Sequence, residues 1–141
     1  GQITFLQPGK GKSKSVELRV ATVPTSKGEQ AVMRIASDSI LEFDQLNLTQ
    51  SNSAYLKENV LNKSKGFFIV SGPTGSGKTS TLHALLGSIN TPTTKIWTAE
   101  DPVEVNHQGL SQIEVNARVG YDYPRAMKAL LRADPDVILI G

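Results

Sequence analysis

Phe67-Phe68-Ile69-Val70-Ser71-Gly72-Pro73-Thr74-Gly75-Ser76-Gly77-Lys78-Thr79-Ser80 is the stretch on which the reading of this sequence turns. Four consecutive apolar residues are what a parallel strand covered on both faces requires. The glycines at 72, 75 and 77 let the following backbone adopt φ > 0 and come close to an anion, so that successive N–H groups converge on one hollow. Beyond the turn, Leu82, Leu85, Leu86 and Ile89 recur at i, i+3, i+4 and i+7, which predicts a helix ending near Asn90-Thr91-Pro92. The positive end of that helix faces the same hollow. Lys78 supplies a full charge for the β- and γ-phosphates, and Thr79 a hydroxyl for Mg²⁺. Gly72, Pro73, Thr74, Gly75, Ser76, Gly77, Lys78, Thr79 and Ser80 are therefore the expected site for ATP, or another nucleoside triphosphate, as its magnesium complex, with Thr79 as the metal ligand.

Working outward, Lys95 to Ala99 reads as a second strand that runs into Glu100-Asp101-Pro102. Gly109 to Asn116 reads as a short strand. Pro124 suits a helix first turn, with Met127, Leu130 and Leu131 as the buried stripe, and Val137-Ile138-Leu139-Ile140 is a further buried strand. Strand, helix, strand, helix, strand predicts an α/β parallel sheet. On the other side, Val16 to Val23 alternates with the period of a half-buried strand and Gln30 to Ala36 is a second. Pro24-Thr25-Ser26-Lys27-Gly28 between them predicts an antiparallel hairpin with a longer loop. Ile3 to Leu6 is a candidate third strand, followed by a flexible Pro8 to Lys14 stretch. Ser37 to Asn52 has the polar, broken look of a connection, and Ser53 is positioned to cap a short helix that turns Leu56, Val60 and Leu61 inward.

Charge is distributed unevenly. The net +2 divides into +4 over residues 1–37 and −2 over the rest. The basic lobe has no interleaved aromatics, so nucleic-acid binding is not expected. With no cysteine there is neither a disulfide framework nor a thiolate metal site, which fits a reducing cytosol. No run of eighteen apolar residues and no basic-then-apolar leader is visible.

Hydrolysis needs a group that orients or deprotonates water. Ligands of open parallel sheets lie beyond the carboxyl ends of the strands, where Glu100 and Asp101 stand. Glu100 has the longer reach to a γ-phosphate; the competing reading is a solvated residue beside an Asp-Pro turn. Asp136 is at the wrong end of its strand, about 13 Å from the phosphates, so Asp134 and Asp136 read as loop residues flanking Pro135. His83 and His107 are isolated and lack partners at metal-ligand spacing; His83, on the loop's helix, reads as a packing or surface residue. Trp97 is most simply core or interface.

Gly72 to Thr79, Thr98-Ala99-Glu100-Asp101-Pro102-Val103-Glu104 and Leu131-Arg132-Ala133-Asp134-Pro135-Asp136-Val137-Ile138-Leu139-Ile140-Gly141 together resemble the secretion ATPases of type II secretion and type IV pilus assembly. Glu17 to Pro24 and Gly28 to Ile35 resemble the end of the small domain that precedes the ATPase domain in that family. The resemblance implies a P-loop, RecA-like parallel sheet with helices on both faces, preceded by a small antiparallel β lobe. It implies a cytoplasmic homo-hexamer, docked on an inner-membrane platform protein, that turns ATP hydrolysis into pilus or pseudopilus assembly. Glu100 matches the family's catalytic base, and Lys78, Arg19 and Arg34 match residues that reach the phosphates. A guanidinium suits that task because it is always charged and binds phosphate oxygens bidentately. Lys128 departs from an arginine usual at its place, which keeps the charge and loses the fork. The family continues after Gly141 with an acidic residue and a histidine-bearing box. The chain is accordingly expected to be a fragment: residues 1–37 the end of a small domain, 38–65 a linker and short helix, and 66–141 half of an ATPase domain that alone binds ATP weakly with little turnover. The alternative reading is a nucleotide-gated assembly module without hydrolysis; a P-loop kinase is weaker still, since nothing resembles an acceptor lid.

Overall fold

The computed structural model describes the backbone of residues 2–7, 14–35 and 40–141, and the side chains of residues 18–35 and 40–141. The expected flexible stretch from Pro8, and Ala36 and Ser37, lie outside the described residues, as do the side chains of Val16 and Glu17. The chain separates into two compact units, Gly1–Asp38 and Ser39–Gly141.

The first unit is an antiparallel sheet of β1 (Gln2–Gln7), β2 (Lys14–Thr25) and β3 (Gly28–Ile35), in the order β1-β2-β3. The β2–β3 loop is tighter than the sequence predicts, because the strands run on until Thr25 pairs with Gly28 and only Ser26 and Lys27 remain in the turn. Thr25 closes that turn itself: its Oγ1 donates to the Gly28 carbonyl (2.7 Å) and accepts from the Lys27 N–H (3.3 Å).

In the second unit, a 3₁₀ turn at Phe43–Leu46 buries Phe43 and leads to α1 (Gln50–Leu56), which continues as wider turns over Lys57–Leu61. The cap of α1 is Thr49, whose Oγ1 accepts from the Asn52 N–H (3.3 Å). The expected cap, Ser53, lies one turn inside the helix. A hydroxyl four residues earlier was equally able to satisfy a first-turn donor, so the helix begins sooner. Leu56, Val60 and Leu61 are half-buried, as their spacing predicts.

Next come α2 (Lys78–Ile89), β4 (Ile96–Glu100), β5 (Ser111–Glu114), α3 (Tyr123–Leu130) and β6 (Val137–Ile140). The strands form a parallel sheet in the order β5-β4-β6, so the fold is α/β as predicted. Both faces of β4 are covered, and its alternation sorts the core into two clusters. Ile96 packs with Leu86 and Leu139, with Leu82 and Ile89 of α2 against them. Ala99 packs with Val115 and with Ala126 and Leu130 of α3, alongside Trp97, Ile113 and Ile138. The two helices therefore press on opposite faces of one central strand.

Two apolar expectations fail. Leu131 is 66% exposed, and Ala126 takes its place in the stripe of α3. The helix ends at Leu130, so Leu131 is its cap residue and leaves the buried face. The run Phe67-Phe68-Ile69-Val70 belongs to no strand among the described residues, and Phe67 and Ile69 are 91% and 71% exposed. Its composition suits a buried strand, but burial needs a hydrogen-bonded neighbour, and none of β4, β5 or β6 pairs with it.

Candidate functional site

The glycine-rich loop feeds straight into α2. Lys78 is the first residue of the helix, capped by Gly77 at φ 92°, and Gly75 has φ 78°. A side chain at these angles is strained, and glycine alone adopts them freely. The Ser76 N–H donates to the Pro73 carbonyl (3.2 Å), which tightens the turn, and a Cβ at Gly72 would lie 2.7 Å from Ser76 Oγ. Lys78 Nζ donates to the carbonyls of Gly72 (2.9 Å) and Pro73 (3.0 Å), so its ammonium lies across the loop. No acidic side chain stands in the first turn of α2 to offset the positive end of its dipole. The loop thus presents an ammonium and a helix amino end with no acidic side chain in its first turn.

Behind the loop lies a cavity of about 90 Å³ lined by Thr79, Leu82, His83, Glu100, Asp101 and residues of the sheet's carboxyl end. That volume admits a few waters and is well short of what a whole nucleotide occupies.

Glu100 is at the end of β4, 3% exposed. The reading of it as a solvated turn residue is thus excluded. Register explains what surrounds it. Gln112 is opposite Thr98 in the β4–β5 pair, so Thr98, Glu100 and Gln112 share the α2 face of the sheet. Glu100 Oε1 accepts from Thr98 Oγ1 (2.5 Å) and Gln112 Nε2 (3.1 Å), and Oε2 faces His83 Nε2 of α2 at 3.1 Å. Burial pushes the Glu100 carboxyl up, but the hydrogen bonds from His83, Thr98 and Gln112, with the attraction of His83, together outweigh it and hold the group below its ordinary value. Asp101, by contrast, is exposed.

The sequence reading missed His83. It is 3% exposed, and its ring is stacked on His107, with centroids 6.1 Å apart and planes at 18°. A signal was present: His83 follows Thr79 by four residues, one helix turn, and so shares its face. What the sequence withheld was that this face meets Glu100. The sequence likewise gave no sign of Gln112, whose Nε2 also donates to the Val105 carbonyl (2.9 Å) while its Oε1 accepts from the His107 N–H (2.7 Å).

Asp134 and Asp136 are loop residues, as predicted: Asp134 pairs with Lys95 Nζ (3.0 Å), and Asp136 Oδ2 accepts from the Lys95 N–H (2.7 Å). Trp97 packs on the α3 cluster. Arg19 and Arg34 belong to the first unit, where they stand directly opposite each other across the β2–β3 pair and so share one face. Alternation along each strand taken separately did not reveal that the two residues are cross-strand partners. Lys128 is exposed in the last turn of α3.

A parallel sheet with helices on both faces, a glycine-rich loop leading into one of those helices and a buried carboxylate at the end of the central strand place the chain in the α/β class. The family described as "Type II/IV secretion system protein" matches residues 9–141, and this chain belongs to it. The chain is 41% identical over 130 residues to the putative type II secretion system protein E of Escherichia coli K12, covering 91% of this chain and 26% of that protein. It is 45% identical over 133 residues to the type IV pilus assembly ATPase PilB of Pseudomonas aeruginosa, covering 92% of this chain and 23% of that one. The chain thus spans about a quarter of the length of these relatives. Among solved structures, the pilus retraction motor PilT with bound ADP matches over 100% of this chain and 40% of its own, with a TM-score of 0.69 and 29% identity. The Legionella pneumophila ATPase DotB shares the fold over 100% of this chain and 40% of its own, with a TM-score of 0.70 at 20% identity.

Proposed function

We propose that this chain is part of an ATPase that binds and hydrolyses ATP as a hexameric motor for type IV pilus assembly or type II protein secretion. The observation that carries the proposal is the loop itself: two glycines at positive φ, an ammonium lying across the loop, and an uncompensated helix N-terminus beside a small cavity. The relatives named as a pilus assembly ATPase and a secretion protein, and the similar motor that holds ADP, support it.

In this reading Gly72 to Ser80 hold the phosphates, and Lys78 exchanges its two carbonyl contacts for phosphate oxygens. Mg²⁺ would meet the protein through the Thr79 hydroxyl and be held otherwise by the phosphates. Glu100 takes a proton from the attacking water; the cavity it lines with Thr79 supports that role. Arg19 and Arg34, one above the other on their sheet, reach the phosphates of an assembled ring. The ring docks on an inner-membrane platform protein from the cytoplasmic side, and no described helix is long and apolar enough to cross a membrane. Residues 1–37, 38–65 and 66–141 are the end of a small domain, a linker and part of the ATPase domain. Because the chain spans a quarter of its relatives, we propose that alone it binds ATP weakly and turns it over little.

The test is calorimetry of Mg-ATP with the full-length protein and its Lys78→Ala variant. A charge-assisted hydrogen bond contributes about 1.5–3 kcal/mol, so affinity should fall by roughly 10- to 100-fold. Equal affinity would remove the basis of the proposal.

A further inference from the structure

Glu100 is a carboxylate with few places left to accept a proton. Oε1 already accepts from Thr98 Oγ1 and Gln112 Nε2, which uses both of its lone pairs. Oε2 faces His83 Nε2 and keeps one lone pair. The tautomer of His83 follows from the acceptor it faces. A carboxylate oxygen accepts only, so Nε2 must carry a proton, or two acceptors would meet at 3.1 Å inside the core. Nδ1 is buried and finds no partner among the described residues. A lone pair there is easier to leave unpaired than a buried N–H, so Nε2 is the ring nitrogen whose proton the geometry requires. The groups that face the ring are Glu100 on β4, His107 stacked on it from the segment before β5, and Asp101 and Glu104 at the rim of the same cavity, and the carboxylates among them all favour a proton on the nitrogen they face.

We propose that His83 is the positioning residue of this site, its Nε2–H fixing Glu100 Oε2 so that a single lone pair is left for the attacking water. This rests on the reading of Glu100 as the base. His83 touches no reacting atom; it acts by deciding where the base points. The chain of contacts continues through the stack on His107 and through Gln112, which holds both the His107 N–H and Glu100, so the base and the 105–107 backbone are fixed together. Pulling on one part of that segment would disturb the base.

The experiment compares His83→Leu, His83→Gln and Glu100→Gln in the full-length protein by steady-state ATPase kinetics. Glutamine carries its amide nitrogen as many bonds from Cα as the Nε2 of histidine, so it restores a donor to Oε2 that leucine lacks. The expected result is that His83→Leu lowers kcat by about 10- to 100-fold with KM for ATP unchanged, while His83→Gln recovers to within about threefold of the parent. Loss of kcat in both His83 variants alike would mean packing, not donation, and overturns the proposal. Parental kcat in His83→Leu beside an inactive Glu100→Gln overturns it while leaving Glu100 as the base. Activity surviving in Glu100→Gln overturns both. Because leucine there could prevent folding, ¹⁵N-histidine NMR of the unaltered protein provides a second readout: a proton on His83 Nε2 supports the proposal, and a bare Nε2 refutes it.

Discussion

Replacing Glu100 by Gln changes one atom and reverses the demands on its neighbours. The amide oxygen can keep the two bonds that Oε1 accepts from Thr98 and Gln112. The amide nitrogen then points at His83 Nε2 from 3.1 Å, and two donors meet unless the imidazole moves its proton to Nδ1. There it has no partner, and a buried unpaired N–H costs about 1–3 kcal/mol. Relief from burying a charge offsets part of that. The net loss should therefore be no more than about 2 kcal/mol, read as a shifted urea midpoint with an unchanged slope. Glu100→Ala, which strands His83, Thr98 and Gln112 together, should cost about 3–5 kcal/mol by the same measurement. Turnover tells the other half: on the proposed role of Glu100 as the base, its loss lowers kcat by about 10²–10⁴-fold, so Glu100→Gln should be folded and nearly inactive. A Gln variant that hydrolyses ATP within tenfold of the parent, or that is as unstable as the Ala variant, would refute the reasoning.

Acid should unfold the protein partly through the same residue. The Glu100 carboxyl is held below its ordinary value of 4.5, so its stabilisation is present above that pH and is lost as pH falls through the lower folded value. Urea midpoints measured across the acid range should fall less steeply in Glu100→Gln. Tyr123 responds at the other extreme: burial, then the charges of Asp101 and Glu100, push its hydroxyl above 10.0, while that hydroxyl donates to the Gly141 carbonyl. Its stabilisation persists below pH 10 and is lost as pH rises through the raised value, so ultraviolet titration of Tyr123→Phe should lose one phenol that ionises above 10.0. In the core, Leu130 is 0% exposed against Ala99, Val115 and Ala126, and Leu130→Ala should lower the unfolding free energy by about 2–5 kcal/mol in denaturant titration. A loss under 1 kcal/mol would mean the α3 face collapses to fill the gap.

Local chemistry was legible in the chain. The loop at Gly72 to Thr79 is contiguous, so the glycine conformations, the lysine charge and the start of α2 all follow from neighbours in sequence. The strands β4 and β6, the hairpin pair and the stripe through Leu130 likewise depend on residues a few positions apart. What needed the tertiary structure was every decision taken between elements. Whether Phe67 to Val70 joins a sheet depends on a hydrogen-bonded neighbour, and apolar composition says nothing of whether one is there. Arg19 and Arg34 become neighbours only through the register of β2 and β3. Thr98, Glu100 and Gln112 meet on one face because β4 and β5 pair without a slip, and a shift of one residue would turn β5 over and carry Gln112 to the opposite side. His83 reaches that face because α2 packs over it. The sequence by itself determined a glycine-rich loop that opens α2; the fold decided which carboxylate is buried near it and which imidazole holds that carboxylate, since those contacts join residues 12 and 17 positions apart.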